Sequence, residues 1–154
     1  MNIGIIVHSH TGHTLSVATK LKEKLSAAGH MVALKQVEPA GSVDLSAKSA
    51  ELKTKPAIDA YDALVFGSPV WGGHMSAPMT SYLEQLPSLQ GKKVACLVTH
   101  FFFRGWGAKQ TIALMKEVCE SKGGTVCGSG SVRWLSLNRK HQISREVDRL
   151  SELF

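Results

Sequence analysis

The chain has 154 residues, with 18 Lys and Arg against 12 Asp and Glu and a formal net charge of +6. That length suffices for one domain with a proper core, and a hydrophobic fraction of 44% excludes a disorder-dominated chain. No apolar stretch approaches the roughly 20 residues that span a bilayer, and Met1-Asn2 leads into a strand pattern without a basic leader, so no membrane span and a cytoplasmic location are expected.

The predicted elements alternate in type. Ile3 to Val7 is a near-continuous apolar run and reads as a buried strand. A helix follows from about Gly12 to Ala28, with its stripe at Leu15, Ala18, Leu21, Leu25 and Ala28. Gly29 stops it, and Met31 to Val37 is the next strand. The 38–60 stretch carries little periodicity, and a short helix is expected there around Ala47 to Leu52, ended before Pro56. Ala63 to Phe66 is the third strand. A helix starts near Ser76, a candidate N-cap, with Pro78 in its first turn. Val94 to Val98 is the fourth strand, and a helix spans about Lys109 to Ser121, ended by Gly123-Gly124. Thr125 to Leu135 is a weaker strand candidate. The last helix runs from about Arg139 to Leu153 after Asn138, with its stripe at Ile143, Val147, Leu150 and Leu153. Apolar strands alternating with helices predict right-handed crossovers and a doubly wound parallel sheet covered on both faces. No linker or repeat divides the chain, so residues 1–154 are expected to form a single domain.

Cys96, Cys119 and Cys127 have no CxxC spacing and are read as buried, reduced thiols. The basic residues Arg133, Arg139, Lys140, Arg145 and Arg149 cluster modestly. Without a helix-turn-helix, finger or aromatic-interleaved basic motif they read as a solvated face, and no nucleic-acid partner is expected.

Ligands of a doubly wound sheet bind outside the carboxyl ends of the strands. The loops after the first, third and fourth strands therefore share one edge, and all three are unusual. The first holds Ser9, His10, Thr11, Gly12, His13 and Thr14 between a strand and a helix N-terminus. Backbone N–H groups, the helix dipole and Ser/Thr hydroxyls suit that loop to a phosphate. The second, Gly67 to His74, joins Pro69, Val70 and Trp71 to the pair Gly72-Gly73. Trp71 offers a flat face to a planar ligand, or packs in the core or an interface. The third, Thr99 to Gly107, holds Phe101, Phe102, Phe103 and Trp106. A phosphate cradle beside two aromatic loops points to a ligand with a phosphate at one end and a large flat ring at the other.

Ser9, Thr11, Gly12 and Thr14 match the Ser/Thr-x-Thr-Gly-x-Thr phosphate loop of the flavodoxin-like family, which binds flavin mononucleotide (FMN). Gly67 to Gly73, continued by Met75 to Met79, is similar to the flavin loop of that family's NAD(P)H:quinone reductase branch. The chain resembles the family over nearly its whole length. The resemblance implies a three-layer αβα sandwich, a five-stranded parallel sheet of order 2-1-3-4-5, and FMN held without a covalent bond. It implies phosphate contacts from Ser9, His10, Thr11, Gly12, His13 and Thr14. It implies that Pro69, Val70, Trp71, Gly72 and Gly73 line the ring at its N5 edge, with Thr99, His100 and Phe101 through Gly105, Trp106 and Gly107 on the pyrimidine side. The leading expectation is an FMN oxidoreductase that takes hydride from NAD(P)H and passes electrons to a quinone. The alternatives are a flavodoxin-type carrier serving a redox partner protein, and a non-redox binding or regulatory module.

Two departures bear on that choice. Carriers of the family are typically acidic, and this chain is basic. The third loop is also bulkier, so Phe101 to Phe103 and Trp106 cover the ring, line a substrate pocket, or meet a second subunit in a homodimer. Arg104 is read either as an exposed charge or as a contact to NAD(P)H phosphate. Five of the seven histidines, His8, His10, His13, His74 and His100, fall at this edge. Their spacing supports no metal site, and His10 or His13 is expected to help neutralise the phosphate. No side chain stands out as a catalytic acid or base. Hydrolase, triphosphatase and cysteine phosphatase chemistry is excluded by the missing Gly-x-Ser-x-Gly, GxxxxGK[ST] and loop cysteine.

Overall fold

The computed structural model describes residues 1–101 and 106–154, with Trp106 described by its backbone alone. The elements run β1 (Asn2–Val7), α1 (His13–Ala27), β2 (Met31–Gln36), β3 (Ala63–Trp71), β4 (His74–Met75), α2 (Ala77–Gln85), β5 (Lys93–His100), α3 (Trp106–Ser121), β6 (Thr125–Arg133) and α4 (Arg139–Ser151). Five parallel strands lie in the order β2-β1-β3-β5-β6. Numbered without the short β4, this is the expected order 2-1-3-4-5, the flavodoxin-like three-layer αβα sandwich.

The pleat explains why the strands read as apolar runs. Ile3, Ile5 and Val7 of β1 join Ala63 and Val65 of β3 and Ala95 and Leu97 of β5 on one face, packed against Val17, Leu21 and Leu25 of α1 and Ile143, Val147 and Leu150 of α4. Ile6, Leu64, Phe66, Val94, Cys96 and Val98 point the other way, onto Met79, Tyr82 and Leu83 of α2 and Met115 and Cys119 of α3. Each strand is therefore apolar at successive positions although its side chains alternate. Burying a Leu such as Leu21 in such a layer stabilises the fold by about 1.5–3 kcal/mol.

Several expectations are corrected. The short helix at 47–52 does not form. That segment is irregular and carries one antiparallel bridge, Pro39 with Leu52, because it has no apolar stripe to bury. Ala28 is not on the α1 stripe; it is the exposed C-cap, and Val17 takes a core place. Cys127 is exposed rather than buried, whereas Cys96 and Cys119 are buried, and all three thiols are free. The cause is a bulge: Val94 pairs with Val126 but Ala95 pairs with Gly128, leaving Cys127 as the extra residue. Trp106 opens α3, three residues before the expected Lys109.

Gly67 to Trp71 were read as loop, yet they extend β3, with Pro69 beside Thr99 of β5. The chain then reverses through Gly72 (φ +55°) and Gly73 (φ +85°) so that Trp71 pairs with His74. Two consecutive positive φ angles make a type I′ hairpin turn, a geometry that β-carbon-bearing residues adopt at a cost.

Candidate functional site

The carboxyl edge of the sheet brings the first three loops together around one cleft. Gly12 caps α1 with φ +88°, and no side chain caps the helix. The Leu15 amide donates to Ser9 Oγ at 3.2 Å and the Ser16 amide donates to the Gly12 carbonyl at 2.9 Å. Among the described residues, the amides of Thr11 to Thr14 have no protein acceptor. The space that a Cβ on Gly12 would occupy is empty out to 4 Å. Glycine is required there by its backbone conformation, and the open volume in front of the free donors suits an anion.

The cleft beside this cradle has a volume of about 200 Å³ and is half open to solvent. Ser9, His10, Thr11, His13 and Thr14 line it from the β1–α1 loop; Pro69, Val70 and Trp71 from β3; and Thr99, His100 and Phe101 from β5 and the residue after it. No Asp, Glu, Lys or Arg lines the cleft among the described residues.

Not every expected residue lines it. Gly72 and Gly73 form the hairpin turn, and Gly107 packs behind it, where a Cβ would stand 2.6 Å from Val70 Cγ1 and 2.9 Å from Gly73 Cα. Gly105 and Phe102 to Arg104 lie outside the described residues, as does the Trp106 side chain. The hydroxyl of Thr14 is engaged inward, 2.7 Å from Thr99 Oγ1, with both residues buried. It latches the first loop to the third.

Trp71 is 6% exposed and stands edge-on to two imidazoles, His8 at 5.2 Å and His10 at 5.6 Å between ring centroids. His8 is itself buried. Its Nδ1 lies 2.8 Å from Ser76 Oγ, and Ser76 Oγ lies 3.1 Å from Ser68 Oγ. The Ser76 amide donates to Ser68 Oγ, so the expected N-cap hydroxyl serves this network instead of capping α2. Burial, reinforced by the nearby His10, holds the His8 pKa down to about 4 and keeps the ring neutral.

His13 stacks on Trp134, with centroids 4.0 Å apart at 11°, and the Arg139 guanidinium covers the Trp134 ring at 4.5 Å. Burial, and then Arg139, lower the His13 pKa. Trp134 was not anticipated. Its signal was its place directly after the last strand, on the same edge as the other loops. Leu45 also lines the cleft, and nothing in the unpatterned 38–60 stretch announces it. His74 turns its Nδ1 toward the Met75 carbonyl at 2.8 Å. No group of three metal-ligating side chains exists among the described residues. No helix among them is long and apolar enough to cross a membrane.

Comparison with known proteins agrees with this fold. A flavodoxin from Megasphaera elsdenii is 26% identical over 133 residues, covering 84% of this chain and 85% of that protein. The structure of oxidised flavodoxin 2 from Bacillus cereus matches with a TM-score of 0.70 at 23% identity, covering all of both chains. A flavoprotein from Lactobacillus acidophilus, solved in complex with FMN, matches with a TM-score of 0.65 at 22% identity over 94% of this chain and 97% of that one. Both structural likenesses show the fold. Residues 1–132 match the NADPH-dependent FMN reductase family: the chain belongs to that family and is a flavodoxin-like, FMN-binding redox protein.

Proposed function

We propose that the cleft holds FMN and that the protein works as an NAD(P)H-dependent oxidoreductase on quinones or similar acceptors. The observation that carries this reading is the row of unpartnered amides at the start of α1, set against a cleft walled by Trp71 and Phe101. The amides of Thr11 to Thr14 and the hydroxyls of Ser9 and Thr11 would bind the phosphate. Pro69, Val70, Trp71, Thr99, His100 and Phe101 would flank the ring, with the Gly72-Gly73 turn and Gly107 holding β3 in position. FMN would supply the electron-transfer chemistry between NAD(P)H and acceptor. Trp71, which is buried at the cleft wall, would orient the ring and exclude water from one side of it. Among the described residues the cleft lining contributes no carboxylate, so none of them would set a fixed negative charge against a negatively charged reduced cofactor.

The single domain would act in the cytoplasm. A second copy of the chain would meet this one at the third loop, where Phe101 stacks on His13. A carrier role is the second reading, favoured by the likeness to flavodoxins.

Purified protein incubated with FMN should turn yellow, and it should oxidise NADPH when a quinone is present. A yellow protein that leaves NADPH untouched with quinone present is a carrier. A protein that stays colourless after incubation refutes the FMN reading itself.

A further inference from the structure

The β6–α4 turn presents two leucines to solvent. Leu135 is 55% exposed, and Leu137 is exposed as fully as in an extended chain, at 106%. The turn that carries them is pinned. The Trp134 amide donates to the His100 carbonyl at 2.7 Å, Arg139 Nη1 donates to the Trp134 carbonyl at 3.2 Å, and the Trp134 ring packs against both His13 and Arg139. Exposed apolar side chains on an anchored turn carry a low ordering cost on binding.

Beside the turn, α1 and α4 border an open groove of about 790 Å³. Its floor includes Ile143 and Val147. Its charged lining is Lys20, Lys24, Arg139 and Lys140 against Glu23 and Asp148, four cations to two carboxylates. Lys24 is paired with Asp148 at 3.1 Å. Among the described residues, Lys20 and Lys140 have no ion-pair partner.

We propose that the β6–α4 turn and the mouth of the α1–α4 groove form a docking surface for an acidic partner protein with an apolar contact at its centre. The chemistry selects a protein surface over a small anion. A phosphate-sized ligand needs donors that converge on one point, whereas these cations stand on the open rim of two helices. Apolar anchors beside a groove whose lining is net positive match the anatomy of a protein interface, and the excess of cations steers acidic partners toward it. The location is also apt. His13 belongs both to the cleft and to the stack that anchors the turn, so a seated partner stands next to the cleft. This surface goes beyond the cleft chemistry and holds whether or not NADPH is the donor.

The test is binding of the FMN-incubated full chain to an immobilised acidic [2Fe–2S] ferredoxin. A basic cytochrome c and phosphatidylserine vesicles serve as the other surfaces. Ferredoxin should bind and cytochrome c should not. Raising salt from about 20 to about 300 mM should weaken ferredoxin binding by about tenfold or more, as screening shortens the reach of the rim charges. The paired change Lys20→Glu with Lys140→Glu, and separately Leu137→Ser, should each weaken it by about fivefold or more. The visible spectrum of bound FMN and the circular dichroism should not change. Absence of ferredoxin binding, equal binding to ferredoxin and cytochrome c, or wild-type affinity in both variants overturns the proposal. Tighter binding to the vesicles than to ferredoxin makes the face a membrane-contacting one and overturns it as well.

Discussion

Acidification below neutrality should destabilise the protein, and His8 should contribute a large share of the effect. His8 is 3% exposed, bonded through Nδ1 to Ser76 and packed edge-on to Trp71. Its pKa falls from an ordinary 6.5 to about 4 in the folded chain, because burial and then His10 disfavour the imidazolium. The unfolded chain therefore takes up a proton near pH 6.5 that the folded chain refuses until about pH 4. Stability is full above the unfolded value and drains away as pH falls through that window. The two pKa values imply a loss of about 2 kcal/mol between about pH 7 and pH 5, and about 3 kcal/mol once both states are protonated.

Urea unfolding of the FMN-free protein, followed by Trp fluorescence at a series of pH values, measures this directly. The reference is His8→Gln, which keeps a polar side chain and removes the titration. The variant is expected to be less stable than wild type at neutral pH, because Gln cannot reproduce both the Ser76 bond and the packing on Trp71. Its dependence on pH over the window should be flatter than that of wild type by about 2 kcal/mol. Parallel pH profiles for the two proteins would refute the assignment, whatever their absolute stabilities.

Three further outcomes follow from the same edge. Gly12→Ala forces a Cβ into φ +88°, so thermal unfolding should register a loss of about 1–2 kcal/mol; the new methyl stands in the open space before the free amides, and the FMN Kd measured by flavin fluorescence quenching should rise about tenfold. Gly107→Ala places its Cβ within 3 Å of the Gly73 backbone. Because backbone cannot step aside as a flexible side chain can, it should cost about 1–3 kcal/mol in urea unfolding, and unchanged stability would contradict the close approach. For His13→Gln, FMN affinity should lose a pH-dependent share. A bound phosphate dianion raises the His13 pKa from its lowered value in the free protein, so that share is present at low pH and vanishes as pH rises through the raised value. Wild-type and variant titration curves that run parallel from about pH 5.5 to 8.5 would remove His13 from the phosphate site.

What the sequence made legible is what local pattern determines. Ile3 to Val7, Ala63 to Phe66 and Val94 to Val98 announce sheet strands because both faces of each are buried, and the stripes of α1, α3 and α4 read at helical spacing because one side of each helix meets the sheet. The Ser9 to Thr14 cradle was legible for the same local reason, since a hydroxyl-rich loop ahead of a helix has its donors fixed by the helix itself. The pair Gly72-Gly73 stood out in the sequence only as part of a loop; that β3 continues through Pro69, beside Thr99, and turns back at this pair is a tertiary fact. The exposure of Cys127 depends on a one-residue bulge between β5 and β6, and the wall contributed by Leu45 depends on how an unpatterned segment crosses the surface. Neither leaves a periodic trace.

The histidines at the carboxyl edge also show how one compositional signal divides into separate physical tasks. Counted together, His8, His10, His13, His74 and His100 suggest a single cationic cluster around a phosphate. Their surroundings separate them. His8 is locked neutral and ties β1 to the start of α2 through Ser76. His74 is bound to the Met75 carbonyl beside the hairpin turn. His13 is stacked on Trp134, and burial, and then the nearby Arg139, hold its pKa down. Anion attraction at this edge then draws on the free amides of Thr11 to Thr14, which do not titrate near neutrality, and His13 modulates it. Replacing His13 should therefore change the pH dependence of FMN binding more than its strength at about pH 8, whereas loss of the amide geometry at Gly12 should weaken binding at every pH.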